Sequence, residues 1–127
     1  MFELKKSEIV RGKKDFQKVY SLGKSYADKN IVLYVLNDEK YNGKVGFAAG
    51  KKLGCAVVRN RVKRLLREAY RLCKNKISGD CALILVGRKN LTESKSDDAI
   101  KSLLNLLRRA GISNGEKNHD ENFYRAD

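Results

Sequence analysis

The run from Val58 to Cys73, VRNRVKRLLREAYRLC, leaves few choices of fold. At ~100° per residue, Val58, Val62, Leu65, Leu66, Ala69, Leu72 and Cys73 fall in one stripe of a helix. Asn60, Lys63, Arg64, Arg67, Arg71 and Lys74 fall on the opposite side, with Arg59 and Arg61 flanking the stripe. One face must therefore be covered by a core while the other stays outside. The outer face has a single sign of charge. Glu68 is the only acid in the run, so i,i+4 ion pairs cannot neutralise it. With Lys51 and Lys52 just upstream, such crowding of cations costs self-repulsion unless an anionic partner offsets it. A nucleic-acid backbone is the simplest such partner.

The chain as a whole carries the same bias. It has 28 Lys and Arg against 15 acids in 127 residues, a formal charge of +13, and 42% hydrophobic residues. That length and apolar content suit one domain with one core, and exclude a disordered chain. No apolar run approaches the ~20 residues needed to span a bilayer. The start, MFELKKSEIVRGKK, lacks the continuous apolar segment of a signal peptide. A cytoplasmic protein is the expectation. Cys55, Cys73 and Cys81 are widely spaced and form no CxxC pair, so they read as three reduced, buried thiols.

The remaining elements follow from periodicity and breakers. A first helix is predicted over 14–22, ending at Gly23 in a left-handed conformation. Ile31–Leu36 and Lys44–Ala49 read as strands around an Asn42-Gly43 turn, forming an antiparallel hairpin. The basic helix spans 57–76, and Ser78-Gly79-Asp80 breaks it. Cys81–Val86 is a strand apolar enough for a sheet interior. A last helix runs from Ser96 to Ala110, capped by Ser94 or Ser96 and stopped by Gly111. One further short strand is left open. Residues 1–112 make a single α+β domain with helices packed on a small sheet. Residues 113–127 form a polar tail without periodicity, expected to be disordered.

Side-chain catalysis has little to work with. His119, the only histidine, lies in the tail, so no nucleophile has a credible base and no metal site has partners. Gly46–Lys52, GFAAGKK, is one residue short of a phosphate loop and has Lys52 where the magnesium-binding hydroxyl would stand. What remains is binding. Beside the cationic helix, Phe16, Tyr20, Tyr34 and Phe47 offer aromatic surface. In IVLYVL, Val32, Tyr34 and Leu36 share one strand face. An open face bearing Tyr34 beside Phe16 and Tyr20 suits stacking of unpaired bases, and so single-stranded RNA. A structural ribosomal-type RNA-binding protein, a DNA-binding regulator reading with the basic helix, and a membrane-surface helix are the competing readings.

Lys51-Lys52-Leu53-Gly54, followed by Ala56-Val57-Val58-Arg59-Asn60-Arg61-Val62-Lys63-Arg64-Leu65-Leu66-Arg67-Glu68, closely resembles the RNR signature of the bacterial ribonuclease P protein component. Asp15–Tyr20 with Gly23, Val32-Leu33-Tyr34 and Val45-Gly46-Phe47 match the family's earlier elements in order. The resemblance covers roughly residues 3–110. It implies an αβββαβα sandwich of the type of ribosomal protein S5 domain 2, with a left-handed βαβ crossover, an exception to the usual hand. It also implies a role as protein subunit of an endoribonuclease whose catalyst is an RNA. That RNA, with Mg2+ held mainly by RNA, removes the 5′ leader of precursor tRNA. Lys51, Lys52, Arg59, Asn60, Arg61, Lys63, Arg64, Arg67 and, one turn on, Arg71 would contact the catalytic RNA. Phe16, Tyr20, Val32 and Tyr34 would meet the leader. No catalytic residue and no protein metal ligand is implied. Tyr20 stands where phenylalanine is common in the family, and a proline often found after the last strand is missing.

Overall fold

A computed structural model describes residues 9–10, 12–41, 43–77 and 81–113. The elements are α1 (Lys13–Leu22), β1 (Lys24–Ala27), β2 (Ile31–Leu36), β3 (Val45–Ala49), α2 (Ala56–Cys73), β4 (Ala82–Gly87) and α3 (Ser96–Arg109). This is the αβββαβα order that the resemblance implies. The 78–80 break, the 114–127 part of the tail and His119 lie outside the described residues.

The predicted β2–β3 hairpin does not form. The sheet order is β1-β2-β4-β3, so β4 separates the two strands. β4 pairs antiparallel with β2 (Val32↔Val86, Tyr34↔Ile84) and parallel with β3 (Gly46↔Ile84, Ala48↔Val86). The reason lies in its composition: ALILVG has almost no polar atom to leave in water, and it is buried on both faces. The 41–44 turn does exist, with Lys44 N–H donating to Tyr41 O at 3.0 Å and Gly43 at φ 79°. It sends the chain to the far edge of the sheet instead of back along β2. β1 is the short strand left open by the sequence. Its KSYA has no alternation to betray it, and pairing with β2 defines it (Lys24↔Val35 to Ala27↔Val32).

Helix ends follow local chemistry, with two corrections. Gly23 is extended (φ −81°, ψ 164°), not left-handed. It must be glycine because a Cβ would sit 2.6 Å from Val19 O and 2.8 Å from Val35 O. Neither Ser94 nor Ser96 caps α3. Lys95 holds that position, and its N–H donates to the Asp98 carboxylate at 3.0 Å. Gly111 does stop α3 in a left-handed conformation (φ 75°). There Gly111 N–H donates to Arg108 O at 3.1 Å and Ile112 N–H to Leu107 O at 3.2 Å, a Schellman pattern.

The two faces of the sheet carry separate cores. Ile31, Leu33, Val35, Val45, Leu83 and Leu85 pack against Val62, Leu66, Ala69 and Tyr70 of α2 and the leucines of α3. On the other face α1 covers one end, where Val19 meets Leu36, Ala82 and Ile84. The buried arc of α2 is turned relative to the predicted stripe. Tyr70 is buried and Leu72 is 47% exposed, because the Phe47 ring lies edge-on to Tyr70 with centroids 5.9 Å apart. Phe47 therefore faces α2 and is absent from the aromatic surface on which the sequence reading placed it.

Candidate nucleic-acid interface

α1 leaves part of its sheet face open. Phe16, Val19 and Tyr20 lie on the side of α1 toward the sheet at i, i+3, i+4 spacing. Only Val19 is fully buried, while Tyr20 is 37% exposed. The Tyr20 ring meets Tyr34 edge-on at 4.8 Å and lies 6.0 Å from the Phe16 ring. Phe16 rests on the backbone of Gly46, where a Cβ would come within 2.8 Å of its Cζ. Beyond the rings runs a half-buried row, Val32, Val86 and Ala48, in register across three strands. The structure thus brings Phe16, Tyr20, Val32 and Tyr34 into one aromatic and aliphatic cleft. Burial, then the neighbouring Tyr34, raises the Tyr20 hydroxyl above its ordinary pKa, so it remains a neutral donor.

The cationic ridge lies on the other side of the same sheet. β3 is the partition: Gly46 supports Phe16 on one face, and the next residue, Phe47, lies under the Arg67 guanidinium at 5.4 Å on the other. Glycine is needed again where β4 ends. A Cβ at Gly87 would lie 2.3 Å from Val62 Cγ1, so its absence lets α2 sit close on the sheet. Lys51 and Lys52 are exposed on the 3-10 turn Lys51–Leu53, and Gly54 (φ 139°) swings the chain into α2.

The signature side chains are not equivalent. Arg64 is exposed and Lys63 half-buried, and neither has a hydrogen bond or ion pair among the described residues. Asn60 is exposed, and Arg67 is exposed with its guanidinium over Phe47. Arg59 is drawn inward by the rotation of α2, and its Nε is buried without a hydrogen-bond partner among the described residues. Arg61 spans to the chain after β4, with Nη1 donating to Thr92 O at 2.7 Å and Nη2 to Ser94 O at 3.0 Å. Arg71 is paired with Glu68: Nε donates to Oε1 at 3.2 Å and Nη2 to Oε2. That hydrogen bond holds the Glu68 carboxyl below its usual range and raises Arg71. No i,i+4 ion pair forms on this face among the described residues, as expected, but one i,i+3 pair, Glu68 with Arg71, relieves its C-terminal end.

Cys55 departs from the expected burial. Cys73 and Cys81 are buried and Cys55 is exposed at the start of α2. The backbone N–H groups of Val58 and Val57 lower its pKa, with Arg59 adding to the effect. Iodoacetamide is expected to alkylate Cys55 at least ~10-fold faster than Cys73 or Cys81 in the native protein at neutral pH. The rate should fall as the pH drops through the lowered pKa. Mass spectrometry of a time course checks it, and equal labelling of all three thiols contradicts this placement.

Among the described residues no three His, Cys, Asp or Glu side chains converge into a set that could hold a metal ion. Nor is any helix there long and apolar enough to cross a membrane.

Comparison with known proteins agrees with this fold. A family model described as Ribonuclease P matches residues 4–111. The ribonuclease P protein component of Clostridioides difficile is 41% identical over 100 residues, covering 78% of this chain and 88% of its own. The crystallised RNase P protein of Staphylococcus aureus superposes with a TM-score of 0.74 at 30% identity, over 84% of this chain and 98% of that one. The RNase P protein of Thermotoga maritima gives 0.69 at 29% identity, over 80% and 96%. The signature on α2, the sheet order and these likenesses converge: the chain belongs to the bacterial ribonuclease P protein component family.

Proposed function

We propose that this chain binds the catalytic RNA of ribonuclease P through the α2 ridge and the single-stranded 5′ leader of precursor tRNA through the aromatic cleft. The observation that carries this reading is the back-to-back arrangement. Arg64, Arg67, Lys51 and Lys52 lie on one side of a single sheet, and Tyr20 and Tyr34 line a cleft on the other. Two different RNAs can then be held at once without competing for one surface. Arg guanidinium groups fork onto phosphates on the ridge, which Lys does only as a point charge. Concentrated positive charge offsets repulsion between the two RNAs and lowers the demand for magnesium. In the cleft, rings and aliphatic side chains contact unpaired bases regardless of their identity. Mature tRNA lacks the leader, so this contact favours substrate over product. The bond-breaking chemistry and its divalent ions belong to the RNA, while this chain binds, orients and screens charge.

Reconstitution with the cognate RNA tests the reading. Protein alone should leave precursor tRNA uncut, and the reconstituted complex should cut it. Tyr34→Ala should weaken precursor binding by roughly ten-fold, given ~1–3 kcal/mol per stacked base, with mature tRNA binding unchanged. Equal losses for both RNAs remove the leader role. Cleavage by RNA-free protein removes the cofactor role.

A further inference from the structure

Arg61 sits inside the signature, yet its guanidinium turns toward the protein. Both of its terminal nitrogens donate to backbone carbonyls, Thr92 O and Ser94 O, more than thirty residues away in sequence. These carbonyls close the 3-10 turn Lys89–Glu93 and lead into α3. The same turn is pinned from the opposite side. Asn90 Nδ2 donates to Asn30 Oδ1 at 2.6 Å, and the buried Asn30 in turn donates to the buried Ser102 Oγ at 2.9 Å. Leu91, in the middle of the turn, is fully buried. The turn packs against α2 and also against the 3-10 turn that carries Lys51 and Lys52. It is a bracket between the two cationic segments.

We propose that Arg61 is a positioning residue that clamps this bracket, fixing Lys51 and Lys52 relative to the Arg64 face of α2, and does not itself grip RNA. The inference rests on the proposed RNA-binding role of α2. The planar fork of arginine matches two carbonyls held side by side, and a lysine ammonium does not. Charge alone should therefore fail to replace it.

The test combines two measurements on the full chain. In the RNA-free protein, Arg61→Lys should speed amide hydrogen exchange at Leu91 and Ser94, whose N–H groups donate within the bracket to Arg88 O and Leu91 O. With the cognate RNA, Arg61→Lys and Arg61→Ala should weaken assembly alike, by roughly three- to ten-fold, and leave the salt dependence of log K unchanged. Recovery of wild-type affinity by Arg61→Lys overturns the proposal. So does a fall in slope of about one unit for Arg61→Ala, the mark of a lost phosphate contact, and so does unchanged exchange. Should Arg61→Ala not fold, the lysine variant decides through its exchange and affinity. Arg64→Ala serves as the reference and should lower the slope by about one unit. If it does not, the RNA role of α2 fails, while the exchange result still reports on the bracket.

Discussion

Replacing Arg64 and Arg67 together by glutamate is expected to weaken assembly with the ribonuclease P RNA by about two orders of magnitude near physiological salt. Each phosphate contact carries roughly 0.9 of slope in log K against log salt, or about 0.7 of a decade at 0.15 M. Losing two contacts accounts for about one and a half decades, and the added repulsion supplies the rest. The salt dependence should flatten by about two units. These two positions are the informative ones because Arg64 has no competing partner among the described residues and Arg67 rests only on a ring. Arg71 is a poorer probe, since Glu68 already holds it. Folding should survive. The Arg67–Phe47 contact is worth about 0.5–1 kcal/mol at an exposed site, small beside a domain stability of about 5–15 kcal/mol. Filter binding across a salt series checks the prediction. Unchanged affinity and slope would show that α2 is not the RNA face.

Gly87→Ala should destabilise the fold by about 2–4 kcal/mol, the upper end of overpacking penalties. The new methyl would stand 2.3 Å from Val62 Cγ1. Val62 is fully buried and β-branched, so it has no rotamer into which to retreat, and α2 itself must lift off the sheet. Urea unfolding should show a lowered midpoint. The RNA affinity of the folded fraction should also fall, because the displaced helix is the one that carries the signature. A change below about 0.5 kcal/mol, the range of ordinary surface substitutions, would mean that α2 is not held tightly against the strand.

The sequence was most legible where one period governed. The helical spacing of Val62, Leu66, Ala69 and Cys73 identified α2 and its inner face, and the alternation in IVLYVL put Val32 and Tyr34 on the cleft side. It was least legible where pairing over distance decided. An Asn-Gly turn says that the chain reverses and does not say which strand it will meet. β4 lies beside β2 inside the sheet because ALILVG, like IVLYVL, is apolar on both faces. β1 carried no signal, since its position depends on β2 and not on its own residues. Phe47 illustrates the sensitivity of strands: one step along β3 exchanges the cleft for the underside of α2. The separate fates of Arg61, Arg64 and Arg71 were equally hidden. A helical wheel fixes the direction of each side chain, but not the carbonyls of Thr92 and Ser94 waiting beside one of them.

The central place of β4 bears on how the protein is made. A nascent chain released only as far as residue 80 has the residues of α1 to α2 but lacks the strand that joins β2 to β3, whose remaining contacts are with α2 and Ile9. Both inner edges stay open, with an already cationic helix between them, and open apolar edges invite wrong partners. The ribosome must deliver Ala82–Gly87 before either edge closes. The cleft and the ridge therefore mature in one late step of translation, and an RNA that meets the chain earlier finds its positive charge without the scaffold that orders it.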